Sequence, residues 1–273
     1  MAERLAREAG ALALRYFGSG IAVEYKGEAG EDGPVTRADR EANALIVDGL
    51  ARAFPGDGLL SEEIPDDGRW RAADRTWMVD PLDGTRDFIR GHAGWSTMIG
   101  LCVEGRPALG IVYQPTAQRL YRAGDGLRAE RVDEDGSVRA LAVSGVSEPG
   151  AIRLVASKSH RTEVIDRVRA ALGVTDELNV GSVGLKLGLI AQGDRDLYVN
   201  PAGRSSLWDT CGPEAILAGA GGRLSDLAGH SLDYSGRTSL KNDRGLVASN
   251  GRLHDEVIAR IAAIFPDGHP RDR

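Results

Sequence analysis

Leu5, Ala9, Leu12, Ala13 and Tyr16 recur at helical spacing, and Gly18-Ser19-Gly20 stops the pattern, which predicts an opening amphipathic helix. A short extended piece around Val23-Glu24-Tyr25-Lys26 follows. Gly27 to Gly33 holds only glycine, acid and alanine, so it predicts a mobile loop that closes over a site when ligands bind. Thr36, with Asp39 three residues on, reads as the cap of a helix that buries Ala42, Leu45, Ile46 and Leu50, and Pro55-Gly56-Asp57-Gly58 ends it. Leu59-Leu60-Ser61 and Trp77-Met78-Val79 are apolar strands. Trp95 to Val103, Ala108 to Gln114, Gln118 to Ala123, Leu127 to Val132 and Val138 to Val143 read as an antiparallel sheet joined by tight turns.

The rhythm then changes. Ile152 to Ala156 is a buried strand, Thr162 to Leu172 a helix, Ser182 to Ala191 a helix and Leu197 to Asn200 a strand. A helix is expected from Pro213 to Ala220, with the proline in its first turn, then a strand near Gly245 to Ser249, a helix from Leu253 to Phe265 and a frayed tail from Pro266. The chain therefore divides into an α+β half, residues 1–146, and an α/β half, residues 147–273, with an α/β fold class overall.

Composition narrows the partners. Hydrophobic residues make up 42% and charged residues 27%, as in an ordinary globular protein. The net charge of −6 argues against coating a nucleic-acid polymer or an anionic membrane. Cys102 and Cys211 lie in no metal-binding spacing, and the charged N-terminus has no continuous apolar run, so a reducing cytoplasm is the expected location.

The chemistry concentrates where the apolar run Trp77-Met78-Val79 meets Asp80-Pro81-Leu82-Asp83-Gly84-Thr85. Two acids three positions apart at a strand end repel each other unless a cation neutralises them, and Mg²⁺ prefers hard oxygen ligands. Gly84 and Thr85 would open a helix whose amides face the same spot, which suits a phosphate. An ordinary turn has the same composition, and the Asp-x-Asp-Gly-Thr of phosphoaspartyl phosphatases differs by one residue of spacing, which disfavours a covalent phospho-aspartate. Ser61-Glu62-Glu63 repeats the theme of a short strand running into acids.

These pieces, with Trp208-Asp209 and Gly221-Gly222, resemble the signatures of the inositol monophosphatase superfamily of Mg²⁺-dependent, lithium-sensitive phosphatases. The resemblance covers nearly the whole chain and implies a layered αβαβα sandwich with two or three Mg²⁺ per site. It places Glu62, Asp80 and the Leu82 carbonyl on the first ion, Asp80, Asp83 and Asp209 on the second, and Glu63 near a third. Asp39 and Thr85 would orient and deprotonate the attacking water, Glu62 would act through its metal, and the amides of Gly84 and Thr85 would bind phosphate. The chain departs from the family in having Ser61 where glycine is usual and no glutamate before Gly221-Gly222.

Within the family, Asp83 to Ile89, the Ser157-Lys158-Ser159-His160 turn and Ser182 with Lys186 are similar to the bacterial 3'(2'),5'-bisphosphate nucleotidases. That implies hydrolysis of 3'-phosphoadenosine 5'-phosphate, with His160, Ser182, Lys186, Asp83 and Asp209 toward the substrate. Lys186 would meet the second phosphate, although a solvated helix lysine has the same sequence signature, as does a surface histidine for His160. Rival readings are an inositol, histidinol or fructose-bisphosphate phosphatase, or a non-catalytic phosphate-ligand sensor. Relatives are often homodimers.

Overall fold

The computed structural model describes residues 1–26, 33–124, 126–157, 163–235 and 239–264. The expected closing loop, except Gly33, lies outside these residues, as do Lys158 to His160 and the tail from Pro266.

The chain runs α1 (Ala2–Leu14), β1 (Val23–Lys26), β2 (Gly33–Thr36), α2 (Arg37–Ala53), β3 (Gly58–Ser61), β4 (Arg75–Asp83), α3 (Thr85–Ile89), β5 (Ser96–Val103), β6 (Arg106–Gln114), β7 (Arg119–Gly124), β8 (Leu127–Val132) and β9 (Val138–Ala140). It continues through β10 (Arg153–Ser157), α4 (Glu163–Leu172), β11 (Asp176–Val180), α5 (Val183–Ala191), β12 (Leu197–Asn200), α6 (Leu207–Gly219), β13 (Arg223–Ser225), β14 (Leu246–Ser249) and α7 (His254–Ile264). Strands β3 to β9 form a seven-stranded sheet in sequence order, antiparallel except for the parallel pair β3–β4. Strands β11-β10-β12-β14-β13 form a mixed five-stranded sheet, and β1 and β2 form a separate antiparallel ribbon.

The alternation along each strand explains the layers. On β4, Trp77 and Val79 join Leu5, Ala9, Ile46 and Leu50 of α1 and α2, while Met78 turns to the other face and joins Leu185 and Leu187 of α5 and Ile216 and Leu217 of α6. A strand covered on both sides needs an almost continuous apolar run, which is what β4 carries. Tyr198 and Ala248 of the second sheet face α5 and α6, and Leu197, Val199 and Val247 face Ile165 and Val168 of α4 and Val257 and Ile261 of α7. The result is the expected five-layer αβαβα sandwich.

Helix α6 starts at Leu207, so Pro213 stands inside it instead of in its first turn. The expected start placed too much weight on proline's preference for first turns. The proline removes the amide that would bond the Asp209 carbonyl, and the helix tolerates it where its backbone rests on the sheet. Gly100 and Gly110 are cross-strand partners on β5 and β6, and a Cβ on Gly110 would lie 2.0 Å from the Gly212 carbonyl oxygen. At Gly100 it would lie 2.6 Å from the Gly212 amide nitrogen. Gly110→Ala should therefore destabilise the protein by about 1–3 kcal/mol through overpacking. A urea midpoint equal to wild type would show that α6 does not need this close approach.

Strand β11 was not foreseen, because Asp176 to Val180 is polar and sits exposed at a sheet edge. No helix among the described residues is long and apolar enough to cross a membrane.

Candidate active site

Strand β4 continues through Asp80-Pro81-Leu82-Asp83 instead of stopping before the acids. Its pairing slips there: Asp80 faces Met98 and Asp83 faces Ser96, so three steps on β4 match two on β5. The extra residue makes a bulge that re-aims side chains. The Leu82 amide donates to Asp80 Oδ1 at 2.9 Å, and Thr97 Oγ1 donates to the Pro81 carbonyl at 3.0 Å, which hold the bulge in shape. Gly84 follows with φ of 96°, and a Cβ there would meet the Gly94 carbonyl at 2.7 Å, so only glycine fits.

Three other elements bring acids to this bulge. Strand β3 lies parallel to β4, and the Glu62 amide donates to the Val79 carbonyl at 3.1 Å, which sets Glu62 beside Asp80, with Glu63 following it in the chain. Helix α2 begins with Thr36, whose amide donates to Asp39 Oδ2 at 2.8 Å. Helix α6 repeats the device, with the Ser206 amide donating to Asp209 Oδ2 at 2.7 Å. In both helices the site acid occupies the third position of its own first turn, so the capping that starts the helix also fixes the acid. Each carboxylate keeps further acceptor sites.

Burial and mutual repulsion make this a high-energy group of charges. Asp80 is held well above the usual carboxylate range by burial first, then by Glu62, Asp83 and Asp209. Asp209 is pushed up to about 8 by burial, Asp83 and Glu62, although hydrogen bonds from Ser206 and with Asp80 work the other way. Asp83 is also raised by burial, against the pull of Lys186, a 2.5 Å hydrogen bond from Ser182 Oγ and one of 3.1 Å from the Gly184 amide. Glu63 is raised by burial and by Glu62.

Among the described residues no three His, Cys, Asp or Glu side chains converge into a ready-made metal cage. The acids are instead held by other positive or neutral groups. Asp80 and Asp209 share a hydrogen bond, and Lys26 Nζ stands 2.7 Å from Glu62 Oε1 and 2.8 Å from Glu63 Oε1. A set of hard oxygens that must take up protons or an ammonium to coexist fits hard divalent cations.

Thr85 Oγ1 lies 3.1 Å from the Leu82 carbonyl and 3.3 Å from Asp39 Oδ1, so its proton has two acceptors. Asp39 is raised to about 7 by burial, countered by Thr36 and reinforced by Glu63 and Glu62. Lys186 is buried, which excludes a solvated helix lysine. Its ammonium donates to the carbonyls of Val180 at 3.2 Å and Gly181 at 2.7 Å and lies over the Tyr198 ring. Burial brings it down to about 8, while Asp83, Asp209 and Asp87 work to keep it charged.

Glu62, Asp83, Gly84, Thr85, Lys186 and Asp209 line one cavity of about 730 Å³. Ala156, Ile165, Val199 and Pro201 give it an apolar wall, and Arg86 and Arg204 stand at its edge without an ion-pair partner among the described residues. Of the residues singled out in the sequence, Ser182 buttresses Asp83 from behind, Asp39 reaches the site through Thr85, and His160 lies outside the described residues. Lys26 and Arg204 had not been assigned. Lys26 pairs with acids 36 and 37 positions away, which no local pattern reveals.

A carboxylate-lined cavity with Thr85 and Asp39 beside it suits the hydrolysis of a phosphoric monoester. The chain belongs to the inositol monophosphatase family, whose model matches residues 1–264. It is 35% identical over 242 residues to the 3'(2'),5'-bisphosphate nucleotidase CysQ of Salmonella typhimurium, covering 88% of this chain and 94% of the relative. It is 34% identical over 233 residues to the histidinol-phosphatase of Mycobacterium tuberculosis, covering 84% and 85%. The crystal structure of the extragenic suppressor protein suhB from Bartonella henselae shares the fold, with a TM-score of 0.78 at 24% identity over 94% and 95% of the two chains.

Proposed function

We propose that this phosphatase removes the 3'-phosphate of 3'-phosphoadenosine 5'-phosphate, giving AMP and phosphate, and that it uses Mg²⁺. The observation that carries the substrate is the cavity. It extends from the acids to an apolar wall that suits a base, and it has two guanidinium groups without carboxylate partners among the described residues, in a chain of net charge −6. The likeness to CysQ supports the same choice.

Glu62, Asp80, Asp83, Asp209 and the Leu82 carbonyl would hold the metal ions, with Glu63 beside them. When bound, Mg²⁺ would neutralise phosphate charge and lower the pKa of a water molecule. The first-turn amides of α3 have no carbonyl below them to bond, so Gly84 and Thr85 can donate to a phosphate oxygen. Thr85 Oγ1 would take a proton from the attacking water as its own passes to Asp39 Oδ1, which would orient the nucleophile and store the proton. Lithium sensitivity belongs to the same reading, through the Asp80, Asp83 and Asp209 oxygens.

The carbonyl bonds of Lys186 support a positioning role for it. Two of its protons go to carbonyls and its charge balances Asp83, so Lys186→Met should slow bisphosphate and monophosphate substrates alike. Discrimination moves to Arg204. With Mg²⁺ present, the wild type should release phosphate faster from the nucleoside bisphosphate than from inositol 1-phosphate or histidinol phosphate. Arg204→Ala should lower kcat/KM for the bisphosphate by roughly tenfold, the worth of one charge-assisted hydrogen bond, and leave the monophosphates unchanged. A wild type that prefers histidinol phosphate or inositol 1-phosphate would overturn the nucleotidase reading and leave the phosphatase in place.

A further inference from the structure

Lys26 closes β1, and its ammonium bonds Oε1 of both Glu62 and Glu63. It is the one cation within ion-pair distance of either carboxylate among the described residues. Burial alone would push this lysine down, but the two carboxylates outweigh it and hold the group above its ordinary range. Both glutamate side chains are largely shielded from water, so neither is easily left bare. The lysine is carried by a ribbon of two strands that joins neither large sheet, and an isolated pair of strands is only marginally held. Tyr25, the residue before it, is exposed and anchors nothing in the core.

We propose that the Lys26 ammonium is a resident counter-cation that an entering divalent ion must displace from Glu62 and Glu63. The inference rests on the metal-dependent reading above. It assigns the lysine two duties: it holds the acids together while no metal is bound, and it sets how tightly the metal binds. The step is an exchange of cations in which the ammonium keeps its proton and leaves with the end of β1. Metal loading is thereby coupled to the position of the ribbon. Because β2 runs directly into Thr36, the ribbon is in turn continuous with the cap that holds Asp39.

The test is a Mn²⁺ titration of the full metal-free chain, with free Mn²⁺ read by electron paramagnetic resonance, together with metal-free melting temperatures. Lys26→Gln should bind Mn²⁺ at least roughly tenfold more tightly, since it loses two competing charge-assisted hydrogen bonds. It should also melt lower than wild type without metal and recover when Mn²⁺ is added. Lys26→Arg keeps the charge and should keep the weaker binding of wild type. If Lys26→Gln binds Mn²⁺ as wild type does or more weakly, the exchange is wrong while the metal site stands. If neither protein binds Mn²⁺, both the exchange and the metal-dependent reading fall.

Discussion

Asp80→Asn should abolish nearly all turnover and at the same time make the metal-free protein more stable. Asp80 sits at the centre of the acid cluster, with Glu62, Asp83 and Asp209 all raising the cost of its charge. An amide keeps the shape and the hydrogen bond from the Leu82 amide but cannot neutralise divalent cations, so activity with Mg²⁺ should fall by several orders of magnitude. The stability change has the opposite sign. A carboxyl whose folded pKa lies above its unfolded value resists ionisation when folded, so the metal-free wild type loses stability as pH rises from about 4 toward that raised value. The gain in melting temperature from Asp80→Asn should therefore be larger at pH 8 than at pH 5. Near-normal turnover in the folded variant, or a melting point that falls at both pH values, would contradict this account of the cluster.

The second large effect is expected at Asp39. Asp39→Asn still offers an oxygen to the Thr36 amide, so α2 should stay capped, but it cannot receive the Thr85 proton. Loss of a general base typically costs roughly 10²- to 10⁴-fold in rate. The fall should appear in kcat with little change in KM or in Mn²⁺ affinity. Burial raises Asp39 to about 7 without metal, and Mg²⁺ on the neighbouring glutamates would lower it, so wild-type kcat should fall on the acid side at or below that value. That acid limb should be missing from the residual activity of the variant. If kcat is retained within a small factor, Thr85 loses its proton elsewhere and the Leu82 carbonyl becomes the better candidate for orienting the hydroxyl.

The parts of this molecule that were legible in the sequence are those set by short-range rules. Capping chemistry gave Thr36 and Asp39, and the alternation of apolar residues gave most strands of the seven-stranded sheet. The acid-rich strand ends pointed to the carboxylate cluster. Local patterns failed where long-range packing decides. Pro213 pulled the expected start of α6 too far along the chain, because the glycine pairing that seats the helix on β5 and β6 is not visible from the helix itself. Lys186 did carry a signal that went unused: from Val183 to Ala191 it is the only residue that is not apolar or glycine, and a helix apolar on all sides is a buried one. The Lys26 pairing and the meeting of Arg86 with Arg204 at one cavity are matters of tertiary placement.

The shared way in which α2 and α6 start has a practical corollary. The amide protons of Thr36 and Ser206 bond directly to carboxylate oxygens of Asp39 and Asp209. Whatever draws electron density from those carboxylates, a proton, a lithium ion or a substrate analogue, also alters the magnetic environment of two backbone protons. In a ¹⁵N-labelled sample these two peaks form a built-in spectroscopic pair, one for the proton-accepting side of the cavity and one for the cation side. Occupancy of the two sides becomes separable without a chromogenic substrate or an added dye.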